Sequence, residues 1–150
     1  MNTILVATDG SEQSRAAVAT AVGLAEDEDA RLVCVHVVSV VDFAPRENGY
    51  GTTPPARVPR AEDDPVLAEA LAVGEDCGVR TEGQLLVGYP PKQILRLAND
   101  LDADLIVVGS RGLRSVKSVV FGSTSREIMA HADRPVLVVR QMKAGAPALA

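Results

Sequence analysis

Residues 104–112 read Asp104-Leu-Ile-Val-Val-Gly-Ser-Arg-Gly112, a short apolar run that passes directly into glycine and serine. The run is apolar throughout rather than alternating, which is typical of a strand buried on both faces of a parallel sheet. The first segment repeats this arrangement, because Thr3-Ile-Leu-Val-Ala-Thr8 stops abruptly at Asp9-Gly10-Ser11. Two buried strands that each run into a turn and a helix start predict an α/β protein.

Three further strands are predicted, separated by segments with the helical spacing of apolar residues; they cover Arg31–Val41, Val79–Val87 and Pro135–Val139. The order β-α-β-α-β-α-β-α-β predicts a single-domain, doubly wound, five-stranded and mostly parallel sheet with helices on both faces. In such sheets, ligands bind beyond the carboxyl ends of the strands. The residues that follow the strands are therefore the first candidates for a site.

Local signals mark the helix boundaries. Ser11 and Asp64 are suited to cap helices, and Pro65 is suited to the first helical position. The spacing of Thr124 and Glu127 predicts a capping box at the last helix. The apolar face of the second helix is predicted to consist of Val66, Leu67, Ala70, Leu71 and Val73.

One internal segment and the C-terminus lack such periodicity. Asp42–Asp63 contains four prolines and two glycines, and is predicted to be a long loop. Residues 1–140 are expected to form one domain, and the tail 141–150, which ends in GAPALA, is expected to fray.

Composition restricts the partners and the compartment. The chain has 150 residues with 47% hydrophobic and 3% aromatic side chains, so its core must be aliphatic. A formal net charge of -5 argues against general affinity for nucleic acid or for an anionic membrane. The apolar runs are too short to span a bilayer, and no signal peptide is visible. We therefore expect a cytoplasmic protein without nucleic-acid or membrane partners.

Cysteine and histidine give little sign of metal or catalytic chemistry. Cys34 and Cys77 form no C-x-x-C pair, and are interpreted as reduced structural thiols, with a disulfide as the alternative. His36 and His131 have no Cys, Asp or Glu at metal-ligand spacing, so His36 is interpreted as a sheet-face histidine. No Ser/His/Asp arrangement or nucleophile elbow is visible.

The glycine-rich stretch after the fourth strand is the strongest functional signal. Gly109-Ser-Arg-Gly112 is followed by nine residues and then by Gly122-Ser123-Thr124, at the start of a helix. Glycines allow the backbone to approach a phosphate, and a helix N-terminus favours an anion. Between Gly109 and Arg126 every charged residue is basic: Arg111, Arg114, Lys117 and Arg126. The pattern favours anion binding over a plain turn with solvated cations.

Other phosphate-handling classes fit poorly. The Walker motif G-x-x-x-x-G-K-[ST] is absent, and so is G-x-G-x-x-G after the first strand. A receiver domain would need an acceptor Asp after the third strand and a Lys after the fifth, where this chain has Val87-Gly88 and Val139-Arg140. Asp9 is interpreted as a ligand contact, with a plain turn carboxylate as the alternative.

The spacing G-x-x-G, nine residues, G-S resembles the ATP-binding signature of the universal stress protein family. Nearly the whole chain shares the likeness, in ILVATDGSEQS, LVCVHVV, VGYPPKQI, DADLIVVGSRG and RPVLVV. Ala7 is a departure, because some ATP-binding members have proline there.

The resemblance implies a Rossmann-like fold that binds ATP, ADP or AMP, with Mg²⁺ held through the phosphates. Asp9 and Val37 would border the adenine and ribose beside Ala7 and Thr8. The phosphate side of the site would comprise Gly109, Ser110, Arg111, Gly112, Gly122, Ser123, Thr124 and Ser125. The family also pairs protomers through its last strand, here Val136–Val139, and an apolar sheet edge has its own reason to be covered.

Three functional hypotheses follow. The leading one is an ATP-binding universal stress protein that acts as a dimeric sensor or regulator in the stress response. The second is an enzyme, a slow ATPase or nucleotide-dependent transferase that uses the same loop, although no residue is obviously placed to activate water. The third is a nucleotide-free, partner-binding dimer.

Overall fold

The computed structural model describes residues 1–39, 60–111 and 121–141. The strands are β1 (Thr3–Ala7), β2 (Arg31–Val38), β3 (Thr81–Val87), β4 (Leu105–Gly109) and β5 (Val136–Val139). The helices are α1 (Glu12–Glu28), α2 (Pro65–Asp76), α3 (Pro90–Asp100) and α4 (Ser123–His131), with a short 3₁₀ helix at Ala61–Asp63. This is the predicted alternation of strands and helices.

The sheet has five strands in the order β3-β2-β1-β4-β5, and all described pairs are parallel. The order reverses between β1 and β4, as in a doubly wound fold. The α/β, Rossmann-like prediction is therefore confirmed, and β3 and β5 form the two edges.

Two aliphatic cores cover the two faces of the sheet. On one face, α1 and α2 pack on side chains such as Ile4, Leu32 and Val107. On the other face, Val33 and Ile106 pack in a second cluster that includes Ile94 of α3 and Ile128 of α4. Central strands buried on both sides explain why their sequences are apolar without alternation.

Two predicted helix starts are confirmed. The Ser11 hydroxyl accepts from the Ser14 N–H at 3.3 Å and caps α1. The Asp64 carboxylate accepts from the Leu67 N–H at 3.1 Å and caps α2. Such caps satisfy N–H groups that have no partner within the helix.

The predicted capping box of Thr124 and Glu127 is wrong. The N-cap of α4 is Gly122, and among the described residues no side chain caps this helix. The helix begins at Ser123, so Thr124 already lies inside its first turn rather than at the cap. Gly122 rather than Thr124 therefore marks the N-terminal boundary of α4.

Two further predictions need correction. Val73 was expected on the buried face of α2 but is 36% exposed; the helix instead buries Leu67, Ala70 and Gly74. The predicted loop Asp42–Asp63 ends in the 3₁₀ helix Ala61–Asp63, while residues 42–59 lie outside the described part of the chain. Of the predicted tail 141–150, residues 142–150 also lie outside it.

Arg134 joins the end of α3 to the segment before β5. Its Nη1 donates to the carbonyls of Ala98 and Ala103 at 2.9 and 2.8 Å, and its Nη2 donates to the Asn99 side chain at 2.6 Å. The guanidinium thereby satisfies carbonyl groups at a helix C-terminus, where a cation is favoured.

Candidate functional site

The carboxyl edge of the sheet brings the predicted site segments together. β1 is paired to β2 on one side and to β4 on the other. Residues 7–9, Val37 and residues 109–111 therefore lie at the ends of three adjacent strands. Gly112 lies outside the described residues, as do Arg114 and Lys117.

The N-terminus of α4 lies at the same edge, beside the end of β4. The Gly122 N–H donates to the Ser110 carbonyl at 2.6 Å. The Ser125 hydroxyl donates to the carbonyls of Ser110 and Gly122, each at 3.1 Å. Ser110 and Ser125 are each 2% exposed, so these hydrogen bonds are shielded from solvent. The N-terminus of α4 is consequently fixed beside the end of β4.

A network of hydroxyl groups shapes the turn between β1 and α1. The Ser14 hydroxyl lies 3.1 Å from the Thr8 hydroxyl and accepts from the Asp9 N–H at 3.3 Å. Asp9 Oδ1 accepts from the Ser11 N–H at 2.9 Å, which is the hydrogen bond of an Asx turn. Asp9 therefore has a turn-forming role, and its contact with a ligand stays a prediction.

Gly109 is required by packing. A Cβ atom at this position would lie 2.8 Å from the backbone carbon and oxygen of Gln13, and 2.9 Å from the Ser14 nitrogen. Backbone atoms of a helix cannot yield cheaply, so β4 and α1 approach this closely only with glycine between them. The glycine at 109 thus has a structural cause whether or not a phosphate lies near it.

Sequence reasoning missed a histidine–carboxylate pair near the same edge. His36 Nδ1 lies 2.8 Å from Asp64 Oδ2, and the two side chains are only 16% and 11% exposed. Asp64 is not at metal-ligand spacing from His36 in the sequence, and it reaches the imidazole only through tertiary packing. His36 remains a sheet residue, and the described part of the chain has no group of three or more potential metal ligands.

A second unpredicted contact joins α3 to α4. A hydrogen bond to the Glu127 carboxylate raises the pKa of the Tyr89 phenol, and desolvation raises it further. Glu127 Oε2 is buried and has no hydrogen-bond partner among the residues that the structure describes. No short-range signal could reveal this pair, because Tyr89 precedes α3 whereas Glu127 lies in α4.

The opposite, amino edge of the sheet is poorly suited to an anion. A depression of about 270 Å³ lies there between the ends of α1 and α2. Its charged lining residues are Glu26, Asp29 and Arg80. Two carboxylates against one guanidinium would repel phosphate, so the carboxyl edge is the better candidate for the predicted site.

The cysteines are unpaired. Cys34 is buried in β2, and burial raises the pKa of its thiol to about 12. Cys77 is exposed after α2. A thiol that stays protonated is a poor nucleophile, so Cys34 behaves as a core residue. Within the described segments, no helix has the length and apolarity needed to cross a membrane.

Comparison with known proteins identifies the family. A sequence model described as the universal stress protein family matches residues 1–140. The chain belongs to the universal stress protein family. Its similarity to a Thermus aquaticus universal stress protein, the one in the QAH/OAS sulfhydrylase 3' region, is 42% identity over 92% of this chain and 98% of that protein.

Solved structures of universal stress proteins share the fold. One, described as a universal stress protein in complex with cAMP, has a TM-score of 0.68 and 26% identity, over 92% of this chain and 96% of that one. Another, from Archaeoglobus fulgidus in complex with dAMP, has a TM-score of 0.64 and 25% identity, over 93% and 97% of the two chains. Those universal stress proteins bind adenine nucleotides.

Proposed function

We propose that this universal stress protein binds an adenine nucleotide, ATP in the first place, at the carboxyl edge of its sheet, and acts as a sensor or regulator in the stress response. The observation that carries the proposal is the hydrogen bond between Gly122 and Ser110. It holds the N-terminus of α4 against the end of β4, next to the turn that follows β1. The relatives in complex with cAMP and dAMP support the choice of ligand.

The N-terminus of α4 fits a phosphate group. A helix start presents backbone N–H groups without intrahelical partners, together with the positive end of the helix dipole. Gly122 contributes no side chain that could occupy those groups, and none of the described residues caps the helix in its place. An anion would supply the missing acceptor, which is the arrangement seen at many phosphate sites.

The charge of the neighbouring residues agrees with this. Arg111 follows Ser110 directly, and Arg126 lies in the first helical turns of α4. Acidic residues are absent from the sequence between these two arginines. In a chain with a net charge of -5, this local excess of positive charge would attract a polyphosphate.

The proposed roles follow the geometry of the edge. Asp9 and Val37, with Ala7 and Thr8, would border the base and ribose. Gly109, Arg111 and Gly112 would line one side of the phosphates, while Gly122, Ser123 and Thr124 hold the other. Ser110 and Ser125 would support the loop. Mg²⁺, when present, would be held by the phosphates themselves.

The experiment compares ATP with adenosine in an Arg111→Ala variant. Loss of a charge-assisted contact to phosphate should weaken ATP binding about tenfold, which corresponds to about 1.4 kcal/mol, and should leave adenosine within about twofold. Arg31→Ala is the matched control, because it removes the same charge at the amino edge. Equal losses for ATP and adenosine would contradict the assignment of Arg111 to the phosphates.

The proposed assembly is a homodimer that pairs through β5. This strand is a sheet edge, and its four residues Val136–Val139 are all apolar and partly exposed. An apolar edge of that kind tends to pair with another strand unless it is covered.

A further inference from the structure

Gln13 is not one of the candidate ligand contacts, but its side chain forms hydrogen bonds with two chain segments: the start of the glycine loop and the residues after β5. It occupies the first turn of α1. Its Oε1 accepts from the Ser110 hydroxyl at 3.2 Å and from the Gln141 backbone N–H at 2.8 Å. A backbone N–H can only donate, so the atom that faces it must be the amide oxygen rather than the nitrogen.

The first of these segments, the start of the glycine loop, is bound through Ser110. Ser110 also donates its backbone N–H to the Val139 carbonyl at 2.9 Å, and its own carbonyl accepts from Gly122. Movement of Ser110 would therefore disturb the N-terminus of α4. The position of the Ser110 hydroxyl is coupled to the very groups that the proposed phosphate would contact.

The second segment, which follows the edge strand β5, is bound through Gln141. Gln141 follows β5 by two residues and is exposed to solvent. The Gln141 backbone N–H donates to the Gln13 side chain rather than to a neighbouring strand. An exposed backbone bond at a strand end opens easily, because few contacts oppose its opening. Order at Gln141 therefore depends on the hydrogen bond to Gln13.

The backbone of Gln13 is held in place by packing. The close approach of Gly109 places the backbone of Gln13 directly against β4. With the backbone held, the side chain reaches Ser110 and Gln141 in one arrangement of its rotatable bonds. Ordering one of the two donors therefore lowers the entropic cost of binding the other.

We propose that Gln13 is a positioning residue that couples nucleotide occupancy of the glycine loop to order at the end of β5. The inference rests on the proposed nucleotide-binding function. A phosphate bound at α4 would fix Ser110, Ser110 would fix the Gln13 amide, and the amide would hold Gln141. Because such coupling is reciprocal, an ordered Gln141 also strengthens nucleotide binding.

Hydrogen exchange at the Gln141 amide tests the proposal, with and without saturating ATP. In the native protein, ATP should slow the exchange of this amide about five- to tenfold, within the usual range of coupling between sites. Gln13→Met keeps a similar side-chain length and removes the acceptor. In this variant the amide should exchange faster without nucleotide, and saturating ATP should no longer slow it.

Two further variants distinguish coupling from a general loss of structure. Gln13→Glu keeps an acceptor oxygen and should restore the protection of Gln141 and its response to saturating ATP. Gln84→Met makes the same chemical change in β3, at the other edge of the sheet, and should behave as the native protein does.

Each outcome decides one proposal. If Gln13→Met leaves the exchange of Gln141 unchanged, with or without ATP, Gln13 is not the coupling residue. If ATP binds the native protein but leaves Gln141 unaffected, the coupling fails while the nucleotide site stands. If calorimetry shows no ATP binding to the native protein, the proposed function fails and the inference fails with it.

Discussion

Gly74 of α2 lies directly against Thr81, the first residue of β3. A Cβ atom at position 74 would overlap the Thr81 hydroxyl and would lie 3.0 Å from the Thr81 Cβ. Glycine in a helix interior costs stability relative to alanine, by about 1 kcal/mol. Here that cost is offset by the contact between α2 and the edge strand.

Gly74→Ala should therefore destabilise the protein by about 1–3 kcal/mol, the usual range for overpacking, although helix propensity alone predicts a gain. Gly23→Ala is the matched control in α1, where an added Cβ would meet nothing within 4 Å. It should stabilise by up to about 1 kcal/mol. Chemical denaturation of both variants measures the difference, and a stabilised Gly74→Ala variant would contradict this account of the contact.

The contact between Gly74 and Thr81 illustrates what local sequence signals can and cannot predict. The strands, the helices and the caps at Ser11 and Asp64 were predictable, because buried strands, helix caps and turns each leave a signal within a few residues. The pairing of His36 with Asp64 depends on chain segments that meet only after folding, as does the contact at Gly74. No short-range pattern carries that information.

The candidate site divides in the same way. The position of residues 109–111 at the carboxyl edge was predictable, because they follow a strand of a parallel sheet; that a ligand binds there stays a prediction. The hydrogen bonds that Gln13 accepts from Ser110 and from Gln141 were not predictable, since each joins residues that are far apart in the sequence. A local rule also failed at α4, where Gly122 takes the place expected for Thr124.

Asp104 gives stability a specific dependence on pH. Its Oδ2 accepts from the backbone N–H groups of Thr3 and Asn2 at 2.9 and 2.7 Å. These bonds, that of Thr3 first, lower the pKa of the carboxyl below its ordinary value. A depressed pKa in the folded state means stability that is present above the unfolded-state pKa and is lost as pH falls through the folded-state pKa.

Asp104→Asn should therefore lower the free energy of unfolding at neutral pH, and its deficit should shrink below about pH 4, near the ordinary pKa of Asp. Asp104→Ala, which removes both acceptor oxygens, should lose more than Asp104→Asn at neutral pH. Denaturant unfolding from pH 2 to pH 7 measures these differences. A deficit of Asp104→Asn that grows on acidification would show that the charge of Asp104 does not stabilise the fold.

In the proposed dimer, the peptide N–H of Val138 is expected to take part in pairing through β5. The Ile106 N–H donates to the Pro135 carbonyl, and the Ser110 N–H donates to the Val139 carbonyl. The backbone N–H and carbonyl groups of the odd-numbered residues of β5 therefore point towards β4. The peptide N–H of Val138 consequently points out of the sheet edge. Val138→Pro removes this donor and leaves the bonds to β4 in place, and proline is tolerated at an edge strand.

Val138→Pro should weaken the dimer about tenfold or more, because each of two symmetric protomers loses a hydrogen bond. Val138→Ala is the control, since it shortens the side chain and keeps the N–H. Sedimentation velocity over a range of concentrations measures both variants. Native dimerisation in Val138→Pro would exclude β5 as the pairing strand. Leu137 is less suitable for substitution, because it packs against the core on the α1 side.

Titration calorimetry with ATP is the measurement that tests the central claim most directly. The account predicts a saturable heat with one site per chain, and a clear loss of affinity in Gly122→Val, where a branched side chain would crowd the start of α4. Gly122 suits this test better than Gly109, since a side chain at position 109 would collide with α1. Absence of saturable heat in the native protein would contradict the nucleotide site and leave the glycine loop a structural turn.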